Sequence, residues 1–535
     1  MSVRSDRREF LALGLASLAA PSLGRAAGEP VVLRRAVASE VTSLDPQRPT
    51  GTLTREMAAE MFTGLVTVDA MGRLSPGGAS GWTMSKDGLL WTFAVRPNMR
   101  WSDGAALTAA DFAYSLRRYL QPDTGAPEAD RLDSLVGARD FRFGHGAVSK
   151  LGITVDSPTQ LTLRLERPDL DLPLALTSVS CVPEHVITKH GRQWAKPETL
   201  VSNGAYTLDS WAAGARVIKL QRNRHFHDAK SVAIRNVHWL TGYDDATRYR
   251  LFQRGEAEIA ALEDASALAR ARREFGAQVS SVTKCALGAI GINLLRKPLD
   301  DPRIRRALVL AADRTILADK VRGLGERPWD GFLPLGIPDY EKPLLPEYAA
   351  WPMAKRRAEA QALMADARAG TAVPLQLGIG FPASGTGERA FLALRQMWRA
   401  IGVQLELQPL EGRAYLAALI ERRFDLFSHN SFAMVPSATP FLERFASTAS
   451  LNFTGYKNPT FDRNYALAQS ELTVAARAND YAVLERELFR DLPMIPLFIG
   501  ATHRLVSPRV SGWTQHPGVL QPTQFLSFGG RKRAG

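Results

Sequence analysis

The sequence predicts an α/β protein built from more than one domain, and three observations carry that expectation. A chain of 535 residues exceeds what one hydrophobic core sustains and divides into two or three domains. Its composition, 45% apolar and 23% charged, is that of ordinary globular material. Beyond residue 350 the patterning alternates, with amphipathic helices over 355–364 and 388–401 and strands over 375–379 and 403–407.

Taken in order, the first 27 residues read as an address rather than as structure. Asp6-Arg7-Arg8-Glu9-Phe10-Leu11 places paired arginines ahead of an apolar run over 11–20, and small residues surround Gly24-Arg25-Ala26-Ala27. That layout predicts an export signal over 1–27 that is removed on secretion. Arg7 and Arg8 resemble a twin-arginine motif, and an ordinary Sec signal is the alternative. The expected destination is the periplasm. With no cysteine near the cut, the mature chain is expected not to be a lipoprotein. No window beyond residue 30 offers the roughly 18 uncharged apolar residues of a membrane-crossing helix.

The formal charge of +13 raises the question of nucleic acid or anionic membrane. The arginines are scattered through amphipathic helices, and the one basic run, Arg531-Lys532-Arg533, sits at the chain end. A solvated basic surface follows, with no nucleic-acid partner. Cys181 and Cys285 are the only cysteines. In an exported protein they permit one disulfide or two buried thiols, and their spacing does not choose.

Residues 31–37 form a first strand and 55–62 a helix. The most informative stretch follows, over 74–120. Residues 82–85 and 91–95 are aromatic and β-branched, and Ser85-Lys86-Asp87-Gly88 supplies the tight turn of a hairpin. Pro97 ends the second strand because it has no N–H for the ladder. Trp101-Ser102-Asp103-Gly104 is a second turn, in which Asp bonds its own backbone and Gly takes positive φ. Thr108 caps a helix at Ala109 with Asp111 completing a capping box, and Phe112, Leu116 and Tyr119 share one face. Residues 122–146 read as a polar surface loop with a short helix. Strands over 153–155 and 161–165 flank Asp156-Ser157-Pro158-Thr159 as a hairpin, and 170–179 is an apolar helix. A strand at Trp211, a strand over 217–221 and a helix over 248–255 complete the first half.

Catalytic constellations are missing from this pattern. There is no Gly-x-Ser-x-Gly elbow, His-Glu-x-x-His helix or P-loop. Gly378-Ile379-Gly380 runs into Pro382 without a third glycine. His225 and His227 have no third ligand at useful spacing and fit a turn better than a metal site. No enzyme, cofactor or metal is expected, and a secreted hydrolase is the remote alternative.

The order of elements over 74–120 is more specific than its composition. It resembles the signature of the family 5 extracellular solute-binding proteins of ABC importers: a tryptophan lead-in, a serine-x-aspartate-glycine turn, a threonine-phenylalanine strand, and tryptophan-serine-aspartate-glycine before a threonine-alanine-x-aspartate helix start. Gly81 interrupts the lead-in. Further matches are Ser43-Leu44-Asp45-Pro46, Val201-Ser202-Asn203-Gly204-Ala205-Tyr206, Asn293, the Asp301-to-Leu308 stretch, Asp313-Arg314, Asn458-Pro459 and Pro493-Met494-Ile495-Pro496. The resemblance runs from about residue 31 to 528 and is closest to the oligopeptide receptors.

That resemblance implies a two-lobed periplasmic binding protein (type II, large cluster C kind) with an extra inserted domain. Residues 28–53, 184–284 and 500–535 would form lobe I, 54–183 the inserted subdomain and 285–499 lobe II. The lobes would hinge near 284–290 and 498–502. The implied function is a periplasmic receptor that captures a small peptide or peptide-like solute between its lobes, works as a monomer, and delivers the ligand to the permease subunits of an importer whose ATPase subunits are cytoplasmic.

The resemblance also implies a site. Glu40, Val41 and Thr42, before the Ser43-Leu44-Asp45-Pro46 turn, would border the ligand. In lobe II the segment Ser428-His429-Asn430-Ser431-Phe432-Ala433-Met434 lies where peptide receptors carry an arginine, a tryptophan and an aspartate for the ligand's α-ammonium. Counting back from Phe441-Leu442, Ser428 stands for the arginine, Ser431 for the tryptophan and Met434 for the aspartate. A thioether does not neutralise a buried ammonium. Either Glu40, Glu128 or Glu263 supplies the acid, or the ligand is a modified peptide or another solute such as an opine, a sugar conjugate or a metal chelate.

Overall fold

The computed structural model describes residues 31–529 except 42, 50, 213, 369–372, 384–386, 434 and 519. Arg7, Arg8, Thr42 and Met434 lie outside the described residues. The chain opens with strand β1 (Val32–Ala36) and helix α1 (Thr52–Met61). The hairpin β2 (Ala79–Met84) and β3 (Leu90–Val95), helix α2 (Ala109–Leu120) and the hairpin β4 (Ile153–Ser157) and β5 (Gln160–Arg164) follow. Next come β6 (Tyr206–Ser210), β7 (Val217–Arg222), β8 (Asn236–Leu240), α3 (Asp245–Gln253), β9 (Ile259–Leu262) and α4 (Ala265–Phe275). The long strand β10 (Val279–Ile292) leads to α5 (Pro302–Ala311), β11 (Leu375–Pro382), α6 (Gly387–Arg399), β12 (Val403–Leu410) and β13 (Leu426–Phe432). Helices α7 (Pro459–Ser470) and α8 (Val474–Asp491) precede a second long strand, β14 (Met494–Val506).

Among the described residues, one eleven-stranded sheet runs β12-β11-β13-β10-β14-β9-β1-β8-β7-β6, with Arg327–Pro328 paired to β14. The antiparallel strands β10 and β14 lie in its middle and belong to both halves. Their register breaks between Thr283 and Leu287, opposite Ala501 and Ile499, so residues 284–286 face Gly500 alone. A bulge of this kind bends a strand pair. On one side, Leu33, Met57, Trp194, Tyr206, Trp239 and Leu526 gather into one core. On the other, Leu287, Leu308, Trp398, Phe441, Leu484 and Ile495 belong to a larger one. We call these the β1 half and the β13 half.

A third core stands apart. The β2–β3 and β4–β5 hairpins pair as a separate four-stranded sheet, order β2-β3-β5-β4, and α2 packs on it through Phe112, Leu116 and Tyr119. Gly88 sits at φ 71°, where a side chain would be strained, and its N–H donates to Ser85 O at 2.9 Å to close the turn. Thr108 caps α2, Asp111 completes the capping box, and Trp101 is wholly buried with Nε1 donating to Asp111 Oδ1 at 3.1 Å. One aspartate thus ties the second turn to the helix start.

Other sequence landmarks are clamps. Asn203 accepts from Thr63 N and donates to Thr63 O, each at 2.9 Å, while Gly204 lets the backbone of Met61 and Phe62 approach where a Cβ would lie 2.4 Å from Met61 C. Asn293 donates to Arg422 O at 3.0 Å and Phe424 O at 2.9 Å. Asn458 caps α7.

Three local expectations change. The apolar helix over 170–179 is only Leu172–Leu176, because Asp169 Oδ1 holds the Asp171 amide in a turn before it and Thr177 bonds back to Leu174 O after it. The strand at Trp211 ends at Ser210. The polar stretch 122–146 holds three short helical turns rather than one. Both cysteines are free and buried, Cys181 in the hairpin-unit core and Cys285 in that of the β13 half. Burial raises both thiols, Cys285 to about 12.

Candidate ligand-binding cleft

In open α/β sheets the crevice for a ligand lies outside the carboxyl ends of the strands. Here the ends of β1 and β9 and the starts of α1, α3 and α4 converge on a cavity of about 610 Å³, whose wall on the other side comes from Lys284, Arg322, Glu326 and residues 501–504. Glu263 lines this cavity between the end of β9 and the start of α4. Its side chain is 61% exposed and lies 3.5 Å from Arg248 Nη2, which also holds Asp245 at 2.9 Å. Glu40 is exposed one residue beyond, where Ser39 O accepts from Gly242 N at 3.2 Å. Gly242 has φ 73°, and a Cβ there would meet Glu40 Oε1 at 2.7 Å. Val41 is buried in the core of the β1 half.

Glu128 lies elsewhere, in a cavity of about 280 Å³ between the hairpin unit and the β13 half. It is already engaged: Arg55 Nη2 reaches it at 2.7 Å, Arg131 at 3.1 Å, and Ser178 donates to it at 3.1 Å. Burial pushes its carboxyl up, but Arg131, Arg55 and Ser178 outweigh burial and leave it below the ordinary value.

The candidate segment of β13 shows an open edge. Ala433 N donates to Cys285 O at 3.0 Å, so in the antiparallel ladder residues 433, 431, 429 and 427 direct their backbone groups to β10. Ser428, Asn430 and Phe432 direct theirs to the other edge. There β11 reaches only Leu426 and Phe427, and Ser428 O accepts from Tyr415 OH at 2.5 Å. The N–H and C=O of Asn430 and Phe432 thus lie beyond the end of β11. Asn430 and Phe432 side chains are exposed, Ser431 and Ala433 buried, and Ser431 Oγ has no hydrogen-bond partner among the described residues. His429 is buried and accepts from Arg444 Nη1 at 3.0 Å. Burial, then the Arg444 charge, lower its pKa to about 3 and keep it neutral.

The candidates therefore lie in separate places rather than in one pocket: Glu263 in the larger cavity, Glu128 in the smaller, and the β13 segment on its own edge. The sequence reading missed the contacts that join the hairpin unit to the β13 half. Arg131 Nη2 meets Glu443 Oε1, Asp130 accepts from Ser450, and Asp171 accepts from Thr439 and Arg477, each at 2.6 Å. Val68, Leu174 and Val435 add an apolar contact with Leu520. Burial, and after it the Asp171 carboxylate, push Asp169 beside this cluster up to about 6. The partners are some 270–320 positions apart, and no spacing signal joins residues so distant.

Two sheet halves joined by two continuous strands, with a cavity at the strand ends, define a two-lobed binding protein; the β1 half is lobe I and the β13 half lobe II. The family model for bacterial extracellular solute-binding proteins, family 5 (middle), matches residues 73–453, and the chain belongs to that family. The periplasmic oligopeptide-binding protein OppA of Escherichia coli is 31% identical over 95% of this chain and 96% of its own. The probable deoxycholate-binding periplasmic protein YgiS of the same organism is 29% identical over 89% of this chain and 90% of its own. Among solved structures, Haemophilus influenzae OppA in complex with RPPGFSPFR covers 94% of this chain and 99% of its own at 28% identity, with a TM-score of 0.83. The murein tripeptide binding protein MppA of E. coli, at 26% identity and the same coverage, gives 0.85, and its unliganded open form gives 0.74. This chain's arrangement is thus farther from that open form. These relatives are binding proteins of the periplasm, and no helix among the described residues is long and apolar enough to cross a membrane.

Proposed function

We propose that this protein is the periplasmic receptor of an ABC importer and captures peptides or peptide-like solutes between its lobes. The observation that carries the reading is the open backbone edge of β13 at Asn430 and Phe432. An extended peptide adds there as a strand, its main chain giving affinity and the roomy cavities beside it taking side chains. Closure then buries the ligand, and the closed shape is what the permease recognises. In this reading 28–53, 184–284 and 500–535 make lobe I, 54–183 the inserted subdomain and 285–499 lobe II. The register break at 284–286 is the hinge. Residues 1–27 direct export through Arg7 and Arg8, and the mature chain is an unanchored, non-enzymatic monomer. Mass spectrometry of ligand retained by protein purified from its own periplasm is the test. Peptides in the retained fraction are expected, and their consistent absence overturns the peptide reading.

A second reading, a ligand without a free ammonium, is favoured by the acids at hand. Glu128 is held by two arginines, Glu40 and Glu263 are exposed, and Met434 stands where peptide receptors place the aspartate. The relative named for probable deoxycholate binding, at 29% identity, belongs with this reading. N-acetylated peptides are expected to bind as well as free ones. A blocked peptide weaker by about 2 kcal/mol or more in calorimetry would mean a buried acid partner.

A further inference from the structure

The large sheet forks beside β13. Up to Gly380, β11 pairs with both neighbours, with Ile379 opposite Leu426 and Gly380 opposite Phe427 on the β13 side. Beyond Gly380 it keeps only β12 among the described strands: Phe381 and Pro382 face Pro409 and Leu410, and Ala383 N donates to Leu410 O at 2.8 Å. Pro382 has no N–H to offer β13. The fork leaves the outward N–H and C=O of Asn430 and Phe432 beyond the reach of β11, and one side chain closes its inner end. Tyr415, on the helix Gly412–Ile420, donates its hydroxyl to Ser428 O at 2.5 Å. Ser428 is the outward-facing residue next to Asn430, so its carbonyl is the acceptor that would continue the edge. Packing fixes the hydroxyl there. Tyr415 is buried with Ala418, Leu419, Phe424 and Phe427, and its ring stacks on Phe424 with centroids 5.8 Å and planes 29° apart. Phe424 in turn lies on Gly380, where a Cβ would come 2.3 Å from its Cε1. The second glycine of Gly378-Ile379-Gly380 thus seats the stacked rings against the fork. Burial raises the pKa of Tyr415, which stays a neutral donor.

We propose that Tyr415 is a specificity-determining residue for ligand length: seated on Ser428 O, it ends the open edge at Asn430 and limits the ligand's paired backbone to about three residues. Outward groups recur at every second residue of a strand, so Asn430 and Phe432 engage alternate residues of an added strand, the first and third of three. The next N–H along that strand, whichever way the ligand runs, finds Ser428 O occupied. A buried N–H left without a partner costs affinity, so a longer ligand gains nothing by continuing the ladder and has to turn away from it. The end of the edge is therefore set by a side chain from a different element, and it moves if that side chain is shortened.

This inference rests on the peptide reading, and the test separates the two. Ligand-stripped protein is offered an equimolar pool of peptides of one mixed composition, from dipeptides to octapeptides, and mass spectrometry reads the retained amount at each length. Wild-type retention is expected to rise as far as tripeptides and then to level. Tyr415→Leu keeps apolar packing and frees Ser428 O, and it should raise pentapeptides and hexapeptides over tripeptides by about fivefold, the effect of one net hydrogen bond. An unchanged length profile in Tyr415→Leu, whatever its melting temperature, assigns Tyr415 to packing alone and overturns the proposal. Wild-type retention that climbs on beyond tetrapeptides overturns it without any variant. Retention of no peptide by the wild type overturns the peptide reading, and this inference with it.

Discussion

Neutralising Glu443 should weaken ligand capture while leaving the fold intact. Glu443 lies in lobe II and Arg131 in the hairpin unit, and their side chains, each 17% exposed, meet at 2.6 Å. A hydrogen bond to a charged group contributes about 1.5–3 kcal/mol. The pair is well enough covered that solvent screening removes little of this. It exists only when the two bodies are together, so Glu443→Gln removes the term from closure alone. Apparent affinity should fall by roughly 10- to 150-fold. Arg131 keeps Glu128 at 3.1 Å, so the melting temperature of the ligand-free protein should stay within about 2 °C. Calorimetry with a peptide from the retained pool measures the affinity, and a double-mutant cycle with Arg131→Gln isolates the pair. A coupling of at least about 1 kcal/mol is expected. Strict additivity, or wild-type affinity in the single variant, would refute the closing role of this contact.

Three further outcomes follow from buried polar groups. Asp169 has a folded-state pKa raised to about 6, so its destabilisation is fully present above pH 6 and fades as pH falls through the unfolded value; Asp169→Asn should raise stability at pH 7.5 by up to about 3 kcal/mol and by almost nothing near pH 3, as denaturant titrations at the two pH values will show. His429 has the opposite linkage for a lowered base, with stability present above about pH 6.5 and lost as pH falls toward 3; His429→Gln should flatten the acid limb of a stability–pH profile between pH 6.5 and 4.5 by up to about 3 kcal/mol. Asn203→Ala strands both the Thr63 amide and its carbonyl, at about 2–4 kcal/mol, and an unchanged urea midpoint would show that water replaces the clamp.

The sequence by itself determined the local units and the family. The Ser85–Gly88 turn, the Trp101–Gly104 turn and the Thr108–Asp111 box are written in consecutive residues because their hydrogen bonds close within a few positions. Asn203 and Asn293 were legible as landmarks, although that each clamps a backbone stretch more than a hundred positions away was not. Only the tertiary structure decided what the candidate residues do. Glu128 looks in sequence like any other acid; Arg131 stands three residues on, but Arg55 reaches it from 73 positions away only through packing. Which residues of β13 offer their backbone to the cleft depends on the register with β10 and on where β11 stops, a non-local matter of sheet pairing. Charge is read locally, but whether a charge is satisfied is settled only by neighbours that the fold supplies.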